Sequence, residues 1–249
     1  MDRAAGIDYG SRTTKIVELK SKRMVFEKIF ETTPESLEIV AAYLEKAGDI
    51  PVIATGYGRH LIHDHFSVPH VTEIRACARG CLSFFPDSRS ILDVGGQDCK
   101  VISLENSGRV CDFVMNDRCA AGTGKFLEVM AAGFGSDLQA FIDIALGSSH
   151  PIPISSMCTV FAESEVVSLI TSGKAREDIA LGLHVSIADR LLSMLRKIGP
   201  VQPLVFVGGG AMNTCLHRML EKKLKMSILR PYKPQLTTAL GAALIAAEK

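Results

Sequence analysis

The sequence predicts an α/β protein built by duplication, on three observations. The first is a repeat: Asp8-Tyr9-Gly10-Ser11-Arg12-Thr13-Thr14-Lys15 returns as Asp93-Val94-Gly95-Gly96-Gln97-Asp98-Cys99-Lys100, with the Asp, Gly and Lys positions each displaced by 85 residues. The second is its setting. Each copy leaves one short apolar segment (4–7; 91–92) and enters another (16–19; 101–104), the pattern of strand, glycine-containing turn and strand. The third is a late apolar run, Val205-Phe206-Val207, that opens directly into Gly208-Gly209-Gly210.

Taken in order, residues 4–7, 16–19 and 24–30 read as three strands. Apolar Leu37, Val40, Ala41 and Leu44 at helical spacing predict a helix over 34–46, followed by a strand at 52–54. After Thr55-Gly56-Tyr57-Gly58-Arg59 a helical run extends to about residue 85. The scheme then restarts, with strands at 90–93, 100–104 and 110–115, then helices, then a strand at 204–207. A last helix over 237–248 is expected to cross back to the first lobe. This gives a first lobe of residues 1–87, with the carboxy-terminal helix of 237–249 packed on it, and a second of 88–236, the boundary marked by Pro86-Asp87-Ser88. Two copies of strand-strand-strand-helix-strand match the duplicated ribonuclease H-like core of the actin, sugar-kinase and heat-shock-chaperone ATPases. That fold implies two lobes with a nucleotide cleft between them.

Each turn of the repeat suits an anion. Gly10 and Gly95 permit a backbone that a side chain would resist, and the turn amides can then face a phosphate. The candidate contacts are Gly10, Ser11, Arg12, Thr13, Thr14 and Lys15 on the first hairpin, and Gly95, Gly96 and Lys100 on the second. Asp8 and Asp93, just before the bends, are placed to hold Mg²⁺ through water, and Gln97 is assigned to the attacking water. Gly208, Gly209 and Gly210 let the backbone approach a nucleoside closely. Gly122-Thr123-Gly124-Lys125 looks like the end of a Walker A loop, but the leading Gly and the trailing Ser or Thr of that motif are Cys119 and Phe126 here. Gly122 and Gly124 nevertheless join the candidate nucleotide contacts.

Hydrophobic residues make up 47% of 249 residues, ample for a core, and the net charge of +1 leaves no basic patch for nucleic acid. Met1-Asp2-Arg3 lacks the features of a secretory signal, and the apolar stretch 239–247 is too short to span a bilayer. A soluble, cytoplasmic protein with no membrane partner is expected. There a count of 7 cysteines argues for thiols, metal ligands or redox work over disulfides. Cys99 and Cys215 read as small core residues, and Cys111 as the end of a strand-like run. Cys77 and Cys81, four apart on a helix, share a face. His60, His63 and His65 read as solvated side chains in a loop or at a helix end.

Cys119 and Cys158 stand apart, because each precedes a helical pattern (125–132 and 159–170). A thiolate at a helix amino terminus is stabilised by unpaired amides and the helix dipole, and an anionic iron–sulfur cluster would benefit likewise. Two readings stay open on spacing alone. The pair are buried cysteines capping helices, or they are ligands of a 4Fe–4S cluster, which wants four thiolates and so needs two chains related by a two-fold axis.

The chain resembles the activators of 2-hydroxyacyl-CoA dehydratases and the related ATPase subunits of benzoyl-CoA reductase. The resemblance runs through Gly6-Ile7-Asp8 to Lys15, Thr55 to Arg59, Asp93 to Asp98, Asn116-Asp117-Arg118-Cys119-Ala120-Ala121-Gly122-Thr123-Gly124, Cys158-Thr159-Val160-Phe161-Ala162-Glu163-Ser164-Glu165, and Ala239-Leu240-Gly241-Ala242-Ala243. The two cysteine motifs are the specific ones, since general sugar kinases lack them. The resemblance implies a homodimer holding one 4Fe–4S cluster on Cys119 and Cys158 of each chain. It also implies ATP binding and hydrolysis that drive one low-potential electron to a partner dehydratase or reductase. The family often has Cys-His where this chain has Ala76-Cys77, and Val-Gly at Thr237-Thr238, differences that bear on partner identity. Two readings compete: a small-molecule kinase of the same fold, which would need a substrate cleft and a catalytic base, and a non-catalytic ATP-binding regulator with a structural zinc across the dimer.

Overall fold

The computed structural model describes residues 3–156 and 158–249. The amino-terminal reading of Met1 and Asp2, and the Met157 position of the second cysteine motif, lie outside the described residues. Two compact units form: one of Met1–Arg89, Leu104–Cys111 and Pro231–Lys249, the other of Ser90–Ser103 and Asp112–Arg230.

In the first unit β1 (Arg3–Tyr9), β2 (Thr13–Lys20), β3 (Arg23–Glu31) and β4 (Val52–Thr55) make one sheet in the order β3-β2-β1-β4. β1 runs antiparallel to β2 and parallel to β4. Positions 4–9 of β1 are all buried, because helices cover both faces and a strand covered twice loses its polar alternation. On one face Ile7 and Ile16 pack with Val40 of α1 (Ser36–Ala47) and Ile62 of α2 (Arg59–Phe66). On the other, Val17 and Leu19 meet Ala239, Leu240 and Ala243 of α9 (Thr237–Ala246). The switch between Ile16 and Val17 is the two-residue strand period at work. α9 also lies against α3 (Glu73–Phe84), so closely that a Cβ on Gly241 would stand 1.8 Å from the Ala76 carbonyl oxygen. The single helical run expected after Arg59 is thus two helices. Ser67 turns left-handed (φ 55°) at the end of α2, and Pro69 follows in the connection.

A second sheet, formed mostly by residues of the second unit, repeats the first. β5 (Ser90–Val94), β6 (Cys99–Leu104), β7 (Val110–Asn116) and β8 (Leu204–Val207) stand in the order β7-β6-β5-β8. β5 is again antiparallel to its successor and parallel to the last strand. The duplicated fold expected from the repeat is therefore the one observed. Its second copy is enlarged, since four helices among the described residues separate β7 from β8: α4 (Gly124–Gly133), α5 (Leu138–Leu146), α6 (Thr159–Thr171) and α7 (Arg176–Ile198). α7 supplies Leu183, Ile187 and Leu191 to a core shared with Phe126, Phe141 and Phe206. α8 (Thr214–Leu224) follows the glycine run. Among the described residues, no single helix is long and apolar enough to cross a membrane.

Candidate functional site

The two hairpins agree in register. Asp8 faces Lys15 and Tyr9 faces Thr14 in one; Asp93 faces Lys100 and Val94 faces Cys99 in the other. Asp8 and Asp93 thus occupy equivalent places beside their turns, both nearly buried. In the first hairpin Lys15 pairs directly with Asp8 at 3.1 Å. Thr32 braces that turn by donating to the Gly10 carbonyl at 2.8 Å. In the second hairpin the lysine changes partner: Lys100 Nζ lies 2.7 Å from Asp98 and 3.9 Å from Asp93. A cation as buried as Lys100 needs such compensation. Asp98, which the sequence reading passed over, supplies it, and Thr13 at the matching place in the first copy explains why Lys15 turns to Asp8 instead. Gly10 and Gly95 are required by close approach. A Cβ would stand 2.7 Å from the Thr13 carbonyl oxygen in one and 2.6 Å from Asp98 Oδ1 in the other. Ser11 and Thr13 are half-buried, Thr14 buried and Arg12 exposed, while Gln97 is exposed at the tip of the second turn.

Each parallel strand ends in glycine beside the acid. β4 pairs Thr55 with Asp8 and β8 pairs Val207 with Asp93. The next residues, Gly56 and Gly208, have φ of +94° and +82°. A Cβ on Gly210 would meet Val94 Cγ1 at 2.4 Å, and Gly209 is exposed. Behind this run Asn213 caps α8 by accepting from the Leu216 amide at 2.8 Å. Asn213 Nδ2 lies 2.9 Å from His184 Nε2, and His184 Nδ1 lies 2.8 Å from the Ala180 carbonyl oxygen. Burial holds His184 down to a pKa of about 4. The neutral ring therefore donates from Nδ1 and accepts from Asn213.

The cysteine loops differ from the sequence expectation in detail. Cys119 and Cys158 are both exposed, which removes the buried-cap alternative. Cys158 is the N-cap residue of α6, its carbonyl accepting from the Ala162 amide at 2.8 Å. Cys119 is four residues before the N-cap Thr123 of α4, so the helix-terminus placement holds for Cys158 alone. Each loop is braced by a polar side chain that the sequence reading missed. Asn116 donates to the Cys119 carbonyl at 3.0 Å and to that of Ala121 at 3.3 Å. Glu165 accepts from the Ser155 and Ser156 amides at 2.8 and 2.9 Å and from the Ser155 hydroxyl at 3.0 Å. Partial burial would raise the Glu165 pKa, yet these bonds outweigh it and hold the carboxyl below its ordinary value. α6 packs against α4. Gly124 reaches the turn of the second hairpin, its amide donating to the Gly95 carbonyl at 3.0 Å, and Gly122 (φ +87°) lies against Arg190.

The remaining cysteines and histidines fall elsewhere. Cys77 and Cys81 are buried in α3. Cys99 and Cys215 are buried thiols, each pushed up to about 11 by burial, and so unreactive. Cys111 is exposed near one end of β7. His60, His63 and His65 are exposed on helix α2 itself, with the His60 and His63 rings 4.6 and 5.1 Å from that of His70. Among the described residues, no group of three His, Cys, Asp or Glu side chains converges on a metal position.

The chain is similar to known proteins over nearly its whole length. The BadF/BadG/BcrA/BcrD ATPase family matches residues 5–246. The 2-hydroxyisocaproyl-CoA dehydratase activator of Clostridioides difficile is 41% identical over 97% of this chain and 93% of its own. The activator of lactoyl-CoA dehydratase of Anaerotignum propionicum is 39% identical over 98% and 96%. The solved structure of the Clostridium difficile activator with bound ADPNP superposes with a TM-score of 0.90 at 40% identity, covering 99% of this chain and 94% of that one.

Proposed function

We propose that this chain, which belongs to the BadF/BadG/BcrA/BcrD ATPase family, is a homodimeric ATP-driven electron donor to a 2-hydroxyacyl-CoA dehydratase or a related reductase. The observation that carries the ATPase reading is the doubled hairpin. Two strand-end carboxylates stand in the same register beside matching turns, each with a lysine opposite. The nucleotide-bound relative and the dehydratase-activator names of the curated relatives support the assignment.

The roles follow from placement. The turn amides around Gly10 and around Gly95 and Gly96 take up phosphate oxygens, with Ser11, Arg12, Thr13 and Thr14 on the first hairpin and Gly124 beside the second. Asp8 and Asp93 hold Mg²⁺ through its water shell. Lys15, paired with Asp8, and Lys100, paired with Asp98, bring positive charge to the phosphates. Gln97, exposed at its turn tip, orients the attacking water. Gly208, Gly209 and Gly210 admit the adenosine, and Gly122 supports the adjoining loop.

The donor set fits an iron–sulfur cluster: Cys119, Cys158 and Cys111 are exposed thiols while Cys77, Cys81, Cys99 and Cys215 are buried. Of the exposed three, Cys111 lies within strand β7, whereas Cys119 and Cys158 lie in loops leading into the packed helices α4 and α6. A 4Fe–4S cluster on four such thiolates, two from each chain, supplies a one-electron carrier. Val160 and Phe161, two and three residues after Cys158 and 68% and 67% exposed, give the apolar surface that a second copy would cover. ATP performs work here only if it binds one conformation better than another.

Anaerobic purification tests the reading. Dimeric, brown protein with ATPase activity, and reduction of a dehydratase only when ATP is supplied, is the expected outcome. A colourless chain that phosphorylates a small molecule would overturn it in favour of a kinase.

A further inference from the structure

The second phosphate turn is bonded to the segment that carries Cys119, and the bonds run through the peptide groups that would hold the phosphate. The first amides of a helix have no partner within the helix. In α4 they find the turn: Gly124 N donates to Gly95 O at 3.0 Å and Lys125 N to Gly96 O at 2.8 Å. The Gly95 carbonyl shares a rigid plane with the Gly96 amide, and the Gly96 carbonyl with the Gln97 amide. An anion taken up by those amides therefore tilts or polarises the same two peptides that grip the start of α4.

The other end of the segment is held by Asn116. Its Nδ2 donates to the carbonyls of Cys119 and Ala121 and lies 3.8 Å from the sulfur of Cys99. Cys99 is the first residue of β6 after the turn, and its thiol points to the Gly122 carbonyl at 3.6 Å. Within the segment Thr123 closes a tight turn, its hydroxyl donating to the Ala120 carbonyl at 2.6 Å. Cys119 thus sits on a short span braced by the phosphate hairpin at one end and by Asn116 at the other.

We propose that Asn116 is a positioning residue that makes Cys119 follow the occupancy of the turn at 95–98, transmitting phosphate binding to the placement of that sulfur. This rests on the ATP reading above and deepens it. A side chain that only braced the loop would, on removal, shift Cys119 reactivity equally with and without nucleotide. A transmitting one, on removal, erases the difference between the two.

The test uses the iron-free full-length chain and reads alkylation of each cysteine by iodoacetamide through mass spectrometry, with and without Mg²⁺ and ADPNP. ADPNP should change the Cys119 rate at least about five-fold in the wild type, the lower end of ordinary coupling between sites. In Asn116→Ala the ratio should fall to about one while ADPNP still binds. Asn116→Asp keeps the shape but loses the donor, so it should behave like Asn116→Ala and carries the test should that variant fail to fold. Glu165→Gln serves as the control, altering the Cys158 rate and leaving the Cys119 ratio intact. An Asn116→Ala chain that binds ADPNP and keeps the wild-type ratio overturns the proposal, as does a wild-type ratio of one with ADPNP bound. Failure of ADPNP to bind the wild type at all removes the ATP reading itself, and the coupling with it.

Discussion

Gly208 stands where a Cβ would come within 2.4 Å of Asp93 Oδ1 and 2.4 Å of the Val94 carbonyl oxygen. The first unit holds the same relationship, since a Cβ on Gly56 would lie 2.6 Å from Asp8 Oδ1. Each acid is thus walled by the glycine that ends the neighbouring parallel strand. A side chain there would displace the carboxylate that both hairpins keep in register.

Gly208→Ala should therefore cost about 2–4 kcal/mol of stability, combining an unfavourable backbone at φ +82° with overpacking. Nucleotide affinity should fall with it. Urea unfolding and ADPNP titration measure the two losses, and a wild-type midpoint would refute the packing account.

Asp93→Asn keeps the shape and removes the charge. ATP hydrolysis should drop on the order of 10–100-fold, as for other partners that orient a metal's shell, with binding partly retained. Steady-state turnover and equilibrium dialysis check this, and wild-type turnover would remove Asp93 from the metal site. Lys100 adds a refinement. With its partner Asp98 changed to Asn, a buried cation loses its nearer carboxylate, so Asp98→Asn should destabilise the second unit more than Asp8→Asn does the first.

Iron content should separate the cysteines. Anaerobic protein should hold about four iron per dimer, and either Cys119→Ala or Cys158→Ala should abolish it. Cys77→Ala, Cys81→Ala and Cys215→Ala, altering buried thiols, should keep theirs. A full complement of iron in a proven monomer would rule out sharing between chains.

His184 sets a pH window. Its folded pKa of about 4 lies below the 6.5 of a free imidazole, so the unfolded chain binds the proton more readily. Stability contributed by the neutral ring is complete above about 6.5 and falls as pH drops toward about 4, by about 3 kcal/mol in all. Urea midpoints across that range should slope for the wild type and flatten for His184→Gln. Parallel curves would show that folding leaves the pKa of this imidazole unshifted.

Both hairpins announce themselves in the amino-acid sequence, because an acid, a glycine and a lysine at fixed spacing between apolar runs is local information. α7 is not legible there, since residues 179–184 are buried at every position and no single-face stripe survives. The break at Ser67 is legible in principle from Pro69. The braces of the cysteine loops are not: Glu165 reaches back ten residues to Ser155, and Asn116 serves Cys119, Ala121 and Cys99 at once. Such bonds depend on how a loop closes, which composition and periodicity do not record.

The place of α9 has a consequence for how the chain is made. Val17 and Leu19 emerge early from the ribosome, but the residues that cover them, Leu236 to Leu244, are translated only after the whole second unit. At ordinary elongation rates that interval is roughly 10–40 s. The second unit can close its own core while synthesis continues, whereas the first presents an apolar sheet face until the end. The amino-terminal sheet is begun first and finished last, and the waiting face is where nascent-chain chaperones would be needed most.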